Sequence, residues 1–393
     1  MDNNYSSHRC KKEQPPLHTK MWVMEQQTQE EQQAAIQEAA DLLHDGCTVA
    51  FPTETVYGLG ADATSTAAVE RIFAAKGRPS DNPLIVHIAE RKQVKELVAD
   101  CPFLAEQLMD ACWPGPLTLV LPVREGAVSD RVTAGLGTVG IRMPDHALAL
   151  QLIQASGRPI AAPSANRSGR PSPTRAAHVL EDLGGRIAGI VDGGATGVGV
   201  ESTVVEVKGD HIHVLRPGGI TVSMLRSFTP NVTIDPAVDP ERALSKLMQS
   251  QSPEPAASKE PDQTAMLAPR SPGMKYTHYA PKGKLQLVQG ASDIAVSAYI
   301  LEDLRRAKQQ GEKTGVLAFA EHVGRYQADV VVELGSLTQL EQGAHRLYDA
   351  LRHFDEEGAT YILAETCSYE GMGLALMNRL LKAAGHHVIV IAD

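Results

Sequence analysis

The sequence predicts an α/β protein of two domains, a mixed-sheet domain followed by a parallel-sheet domain. Three observations carry this expectation. The 393 residues exceed what one compact core usually serves. Short apolar runs alternate with helical patterns through both halves of the chain. Between Gln249 and Arg270, Pro, Ser, Gln and Glu dominate and large apolar residues nearly vanish, as in a flexible linker. In chain order, Ile36, Ala39, Ala40 and Leu43 recur at helical spacing, and Gly46 follows as the terminator. The strand Thr48–Phe51 stops at Pro52. There follow helix Thr66–Ala75, strand Leu84–Ile88, helix Phe103–Cys112, strands Leu117–Leu121 and Val139–Arg142, helix His146–Ala155, strand Pro159–Ala162, helix Arg175–Leu183 and strand Ile190–Asp192. Thr203–Val207 and His211–Leu215 flank Lys208-Gly209-Asp210 as an antiparallel hairpin, which makes the first sheet mixed. Beyond the linker, Leu285–Val288, Val316–Ala320, Val330–Leu334, Tyr361–Glu365 and Val388–Ile391 are separated by helical segments, the pattern of a parallel sheet with crossover helices. The expected partition is a loose N-terminal extension over 1–20, a first domain over 21–230, a linker over 231–284 and a second α/β domain over 285–393.

With 43% apolar and 21% charged residues, the chain can bury real cores. Lys and Arg number 37 against 47 Asp and Glu, a net charge of −10, so a general electrostatic grip on nucleic acid is disfavoured and any RNA contact is expected to be local and weak. The five cysteines are scattered without a CxxC pair, which argues against a disulfide framework or a structural zinc site and for a reducing, cytoplasmic setting. Residues 1–20 contain no apolar h-region, and no run approaches the ~20 residues of a membrane span, so neither export nor a membrane anchor is expected.

Chemistry concentrates at a few places. Lys76-Gly77-Arg78 lies just after the helix Thr66–Ala75; two cations around a glycine can face a polyphosphate, and equally can serve as exposed partners of the helix dipole. Pro163-Ser164-Ala165-Asn166 follows an apolar strand, where α/β sheets gather ligands, although the same residues build plain turns. The bend Asp192 to Thr203 is rich in glycine and ends in hydroxyls, able to hold an anion or simply to connect two strands tightly. It lacks the lysine of a P-loop, which disfavours a Walker-type ATPase. Gly371-Met372-Gly373 lacks the third glycine of a dinucleotide fingerprint. Arg142, before Pro144, suits a two-pronged grip on a carboxylate, and His87 lies in an alternating strand where a structural role is the commoner one. No metal-ligating pattern is expected.

Six blocks occur together: Pro52-Thr53-Glu54-Thr55-Val56-Tyr57-Gly58-Leu59; Lys76-Gly77-Arg78-Pro79 with Asn82-Pro83-Leu84; Trp113-Pro114-Gly115-Pro116-Leu117-Thr118; Gly140-Ile141-Arg142-Met143-Pro144; Pro163-Ser164-Ala165-Asn166; and Gly199-Val200-Glu201-Ser202-Thr203. In this order they resemble the YrdC-like L-threonylcarbamoyladenylate (threonylcarbamoyl-AMP) synthases. Ser271-Pro272-Gly273-Met274-Lys275-Tyr276-Thr277-His278-Tyr279-Ala280-Pro281, ahead of the second domain, resembles the linker motif of the long two-domain form.

The resemblance implies a twisted mixed sheet around a concave pocket, followed by a Rossmann-like domain. It implies synthesis of threonylcarbamoyl-AMP and pyrophosphate from L-threonine, bicarbonate and ATP with Mg2+, the first step of tRNA threonylcarbamoyladenosine modification. The product would pass to a threonylcarbamoyl transferase complex. By the family pattern, L-threonine contacts Thr55, His87, Arg142, Ala162 and Ser202. ATP contacts Arg78, Asn82, Thr138, Ser164, Ser172, Arg216 and Tyr279, while Lys76, Arg78, Ser164 and Asn166 form the catalytic set. The segment 271–281 is then a lid over the nucleotide, with docking of the second domain as its other reading. Two alternatives of other kinds are a double-stranded RNA-binding module and a carbamoyl-transfer enzyme of hydrogenase maturation, although the cysteines expected beside the latter are absent.

Overall fold

A computed structural model describes residues 18–239 and 279–391. The first helix, Gln29–His44, begins at a capping box in which the Thr28 hydroxyl accepts from the Glu31 amide and the Glu31 carboxylate accepts from the Thr28 amide. Ala35, Ile36, Ala39, Ala40 and Leu43 form its buried face, and it ends before Gly46.

The first sheet has eleven strands: β1 (Lys20–Val23), β2 (Val49–Phe51), β3 (Gly58–Asp62), β4 (Ile85–His87), β5 (Leu117–Pro122), β6 (Thr138–Arg142), β7 (Ile160–Ala161), β8 (Gly189–Asp192), β9 (Thr203–Lys208), β10 (His211–Arg216) and β11 (Val232–Ile234). Their order is β1-β8-β2-β3-β7-β4-β6-β5-β9-β10-β11. Parallel and antiparallel pairs mix, and β9 and β10 form the expected antiparallel hairpin. A main core packs Leu59, Val86, Leu119 and Ile141 of the sheet against Ile72 and Leu108 of helices Thr66–Lys76 and Phe103–Cys112. A second cluster joins Trp22, Leu43, Phe51, Leu152 and Ile160, and thereby seats helices Gln29–His44 and Ala147–Ser156.

Three strands depart from the sequence reading. β3 is glycine-rich and has no element assigned from the sequence, yet it pairs with β2 on one side and β7 on the other, so tertiary pairing overrides its weak propensity. Lys20 already belongs to β1, opposite Gly189, and the Thr19 hydroxyl donates to the Ile187 carbonyl. Val232–Ile234 forms β11 alongside β10, so the sheet continues into the stretch expected as linker.

The second sheet contains β12 (Lys284–Gln289), β13 (Thr314–Ala318), β14 (Val330–Glu333), β15 (Tyr361–Glu365) and β16 (Val388–Val390), all parallel, in the order β14-β13-β15-β12-β16. Helix Asp293–Gln309 covers one face; helices Leu340–Glu356 and Met372–Ala383 cover the other. The latter pair also packs against the first domain, because Val56 and Val200 share a buried cluster with Leu347, Tyr348, Leu351 and Leu376. Among the described residues no helix is long and apolar enough to cross a membrane.

Candidate active site

Where the first sheet opens, the loops after β2 and β7, the ends of β4, β6 and β10, and the bend before β9 surround a cavity. The register explains the convergence: His87, last in β4, stands opposite Arg142, last in β6, and opposite Ile160 of β7. Side chains at adjoining strand ends thus face the same opening.

Lys76 is the final residue of its helix rather than part of the following turn, and its side chain is buried. Gly77 has φ 62, the left-handed conformation that favours glycine and turns the chain back so that Arg78 also meets the cavity. Lys76 Nζ donates to the Ser164 carbonyl at 2.5 Å, the Asn166 carbonyl at 2.7 Å and Asn166 Oδ1 at 3.3 Å. The Ser164 hydroxyl in turn donates to Asn166 Oδ1 at 2.6 Å. Burial, and next the positive Arg78, pull the Lys76 pKa well below the ordinary lysine range. Arg78 makes longer contacts, 3.4 Å, to the Asn82 and Pro83 carbonyls.

Arg142 is buried, with Nη1 donating to Thr55 Oγ1 at 2.9 Å, Nε to the Gly115 carbonyl at 3.3 Å, and Nη2 lying 2.5 Å from Glu54 Oε2. Its charge is therefore balanced by a protein carboxylate beside the cavity. His87 Nδ1 is buried and has no hydrogen-bond partner among the described residues. Burial, then Arg142, lower the His87 pKa to about 3, so the ring is neutral near pH 7.

On the opposite wall, Arg216 Nε donates to the Ser202 carbonyl and Nη2 to Ser202 Oγ, both at 3.1 Å, while Ser202 Oγ also lies 2.8 Å from Thr118 Oγ1. Glu201 beside it accepts from the Ser172 hydroxyl at 2.6 Å, from Tyr348 at 2.8 and 3.0 Å, and from Arg379 Nε at 2.9 Å. Burial alone would raise its pKa. Arg379, Arg216 and the Ser172 hydroxyl outweigh it and hold the carboxyl at about 2. Tyr279 is buried on the rim, its ring centroid 5.1 Å from that of Tyr348.

The cavity wall thus brings together Thr55, Lys76, Arg78, His87, Arg142, Ala162, Ser164, Asn166, Ser202, Arg216 and Tyr279. Asn82 is wholly buried behind Arg78, Ser172 is buried beneath Glu201, and Thr138 opens β6 opposite Pro122, so these three lie off the wall. Of the lid segment, 271–278 lie outside the described residues. Thr53, Glu201 and the Glu54 partner of Arg142 went unassigned in the sequence reading. The available signal was an acidic residue inside each of two motifs rich in hydroxyls, which buried next to anion-binding cations needs a counter-charge. The exposed dipole-partner reading of Lys76 does not hold. Among the described residues, no group of three or more His, Cys, Asp or Glu could hold a metal.

Comparison with known proteins decides what this cavity belongs to. The Sua5/YciO/YrdC family model, described as "Telomere recombination", matches residues 41–218; that for "Threonylcarbamoyl-AMP synthase, C-terminal domain" matches residues 220–385. The threonylcarbamoyl-AMP synthase of Bacillus subtilis (strain 168) is 51% identical over 354 residues, 90% of this chain and 94% of that protein. The chain belongs to the threonylcarbamoyl-AMP synthase family. The enzyme of that name from Pyrococcus abyssi is 47% identical over 353 residues, 90% of this chain and 95% of its own. The crystal structure of P. abyssi Sua5 complexed with L-threonine superposes with a TM-score of 0.79 at 45% identity, covering 92% of this chain and 97% of that one. Both domains of the long form are therefore present, and the activity is threonylcarbamoyl-AMP synthesis.

Proposed function

We propose that the cavity joins L-threonine, bicarbonate and ATP into threonylcarbamoyl-AMP and pyrophosphate, and that its two walls divide the substrates. The observation that carries this reading is one concave site holding a carboxylate grip, Arg142 with Thr55, opposite a set of cations, Lys76, Arg78 and Arg216. The threonine carboxylate pairs with Arg142, displacing part of the Glu54 contact, and a neutral His87 accepts a hydrogen bond from the substrate at Nδ1. Ser202 and the backbone of Ala162 complete the amino-acid subsite.

The threonine amine attacks the carbon of carbon dioxide and gives its proton to solvent, or attacks bicarbonate as the carbon–hydroxyl bond breaks and the hydroxyl leaves with the amine proton as water; either way a carbamate forms. A carbamate oxygen then bonds the α-phosphorus as the bond from that phosphorus to the bridging oxygen breaks, and pyrophosphate leaves. Lys76, Arg78 and Arg216 stabilise the charge on the phosphoryl oxygens, with Ser164 and Asn166 fixing Lys76 from behind. Orientation in a shielded space supplies much of the remaining barrier reduction. Mg2+ would arrive with the triphosphate. The wall offers one carboxylate, Glu201, already engaged by Arg379, Tyr348 and Ser172, so the donor set suits an ion held by phosphate oxygens and water rather than by the chain.

The product would feed a threonylcarbamoyl transferase complex acting on tRNA, in a cytoplasm whose reducing conditions suit free Cys47, Cys101, Cys112 and Cys367. RNA contact would be local and weak, and neither the RNA-binding module nor the hydrogenase-maturation alternative is favoured by the relatives named above. The test is an incubation with ATP while L-threonine or bicarbonate is withheld in turn. Pyrophosphate release is expected only with both; orthophosphate release, or indifference to threonine, would refute the reading.

A further inference from the structure

The second domain reaches the catalytic wall through buried side chains that meet Glu201, and one of them carries a charge. Arg379, on helix Met372–Ala383, is fully buried and crosses the domain boundary: Nε donates to Glu201 Oε2 at 2.9 Å and Nη1 to the Pro217 carbonyl at 2.7 Å. Asn378 beside it donates to the Val238 carbonyl at 3.1 Å, and Tyr348 of helix Leu340–Glu356 donates to both Glu201 oxygens. Glu201 lines the cavity next to Ser202, and Arg216 lies in the same wall.

These partners pose an electrostatic choice. A buried carboxylate beside two buried guanidinium groups can bond either or both, and an unpaired buried charge is far costlier than a paired one. Here the ion pair is with Arg379, while the hydrogen bonds of Arg216 go to Ser202 instead. Without Arg379, the remaining hydrogen-bond partners of Glu201 would be the neutral hydroxyls of Ser172 and Tyr348, and the cations acting on it would be Arg216 in the wall and Lys382 on the second-domain helix. Arg216 would then close on Glu201, and its charge would no longer be available to an anion in the cavity.

We propose that Arg379 is a positioning residue for nucleotide use: by occupying Glu201 it keeps Arg216 directed at the cavity, so the second domain completes the nucleotide subsite from behind the wall. This rests on the reading of Arg216 as a polyphosphate contact. The residue touches no substrate and acts through Glu201.

The experiment uses the full chain and measures pyrophosphate release against ATP and against L-threonine, with calorimetric binding of each. Arg379→Gln should raise the KM for ATP at least tenfold while threonine affinity changes less than twofold. Arg379→Lys, which keeps the cation, should hold the ATP KM within about threefold. Glu201→Gln combined with Arg379→Gln should recover most of the lost ATP affinity, because the competing charge is gone. A purely structural role predicts the opposite: both substrates weaken together, and the double variant is no better than the single one. Either result overturns the proposal, as does an unchanged ATP KM in Arg379→Gln. If Arg379→Gln does not fold, the Arg379→Lys and double variants decide on the same readings. Arg216→Ala separates the two levels: unchanged ATP affinity there refutes the assignment of Arg216 itself, whereas a large loss there with no effect at Arg379 refutes only the positioning role.

Discussion

At the scale of single residues, the two cations of the Lys-x-Arg pair are energetically different although one glycine separates them. Lys76 is buried with three acceptors around Nζ, so Lys76→Ala leaves the Ser164 and Asn166 carbonyls without their donor. Arg78 is less buried than Lys76, and its contacts to the Asn82 and Pro83 carbonyls are longer, at 3.4 Å. Lys76→Ala should abolish most synthesis and also cost roughly 2–4 kcal/mol of stability, whereas Arg78→Ala should lose comparable activity with a melting temperature close to wild type. Activity assays paired with thermal melts check this; equal melting temperatures for both variants would contradict the burial argument. His87 sets a pH signature. Its folded pKa, about 3, lies below the ordinary histidine value, so the unfolded chain binds more protons and stability falls as pH drops below about 6.5. His146, His178 and His386 are shifted the same way by burial, and Glu201 adds its own loss only below the ordinary carboxylate range. In calorimetric stability curves between about pH 5 and 6, His87→Gln should reduce the slope by about 1.4 kcal/mol per pH unit. An unchanged slope would show that the ring titrates freely in the fold.

At the scale of elements, the glycine-rich bend between β8 and β9 is a packing surface as well as a cavity wall. Gly199 has φ +81, and a Cβ there would lie 2.6 Å from the His345 carbonyl oxygen and 2.7 Å from that of Ala344, both backbone atoms of helix Leu340–Glu356. The neighbouring Gly197 carbonyl lies 2.8 Å from His345 Nδ1, so bend and helix are held in register. Gly199→Ala combines backbone strain with a clash that neither side can relieve, and should cost about 2 kcal/mol or more. A melting temperature within a degree of wild type would mean that the helix is free to move away. Much of this element pattern was legible beforehand. The helices Thr66–Lys76 and Phe103–Cys112 and the hairpin β9–β10 follow from periodicity and turn residues, since local spacing alone specifies them. β3 was not legible, because its glycines have no strand preference until β2 and β7 flank them.

On the scale of the whole molecule, the two domains share charge as well as apolar surface. Arg352 of helix Leu340–Glu356 is buried against Asp182 of the first domain at 2.7 Å, and donates to the Pro171 carbonyl at 2.6 Å. Arg170 meets the same carboxylate at 2.5 Å, and Arg175 pairs with Asp349 at 3.1 Å. Removing one member of an isolated buried pair costs roughly 3–5 kcal/mol; Arg170 stays with Asp182, so Arg352→Ala should cost less than that while cutting the charged link between the domains. Scanning calorimetry should therefore give one transition for the intact chain and two for Arg352→Ala, as the domains cease to melt together. A single transition at an unchanged temperature in that variant would show that apolar packing alone couples them.

The sequence by itself determined the two α/β layers, the mixed and parallel sheets, and most of the cavity wall, because strand patterns are local and the six motifs each carry their own residues. Thr55, Lys76, Arg78, His87, Arg142, Ser164, Asn166, Ser202 and Arg216, which the family pattern implies as site residues, all line the cavity. Only the tertiary structure decided which charges neutralise which. Glu54 lies against Arg142 from one residue before Thr55, and Glu201 pairs with Arg379 across 178 positions of chain. Such partners are chosen by burial: a desolvated charge must find its counter-charge wherever packing brings one, and no spacing along the chain records that choice.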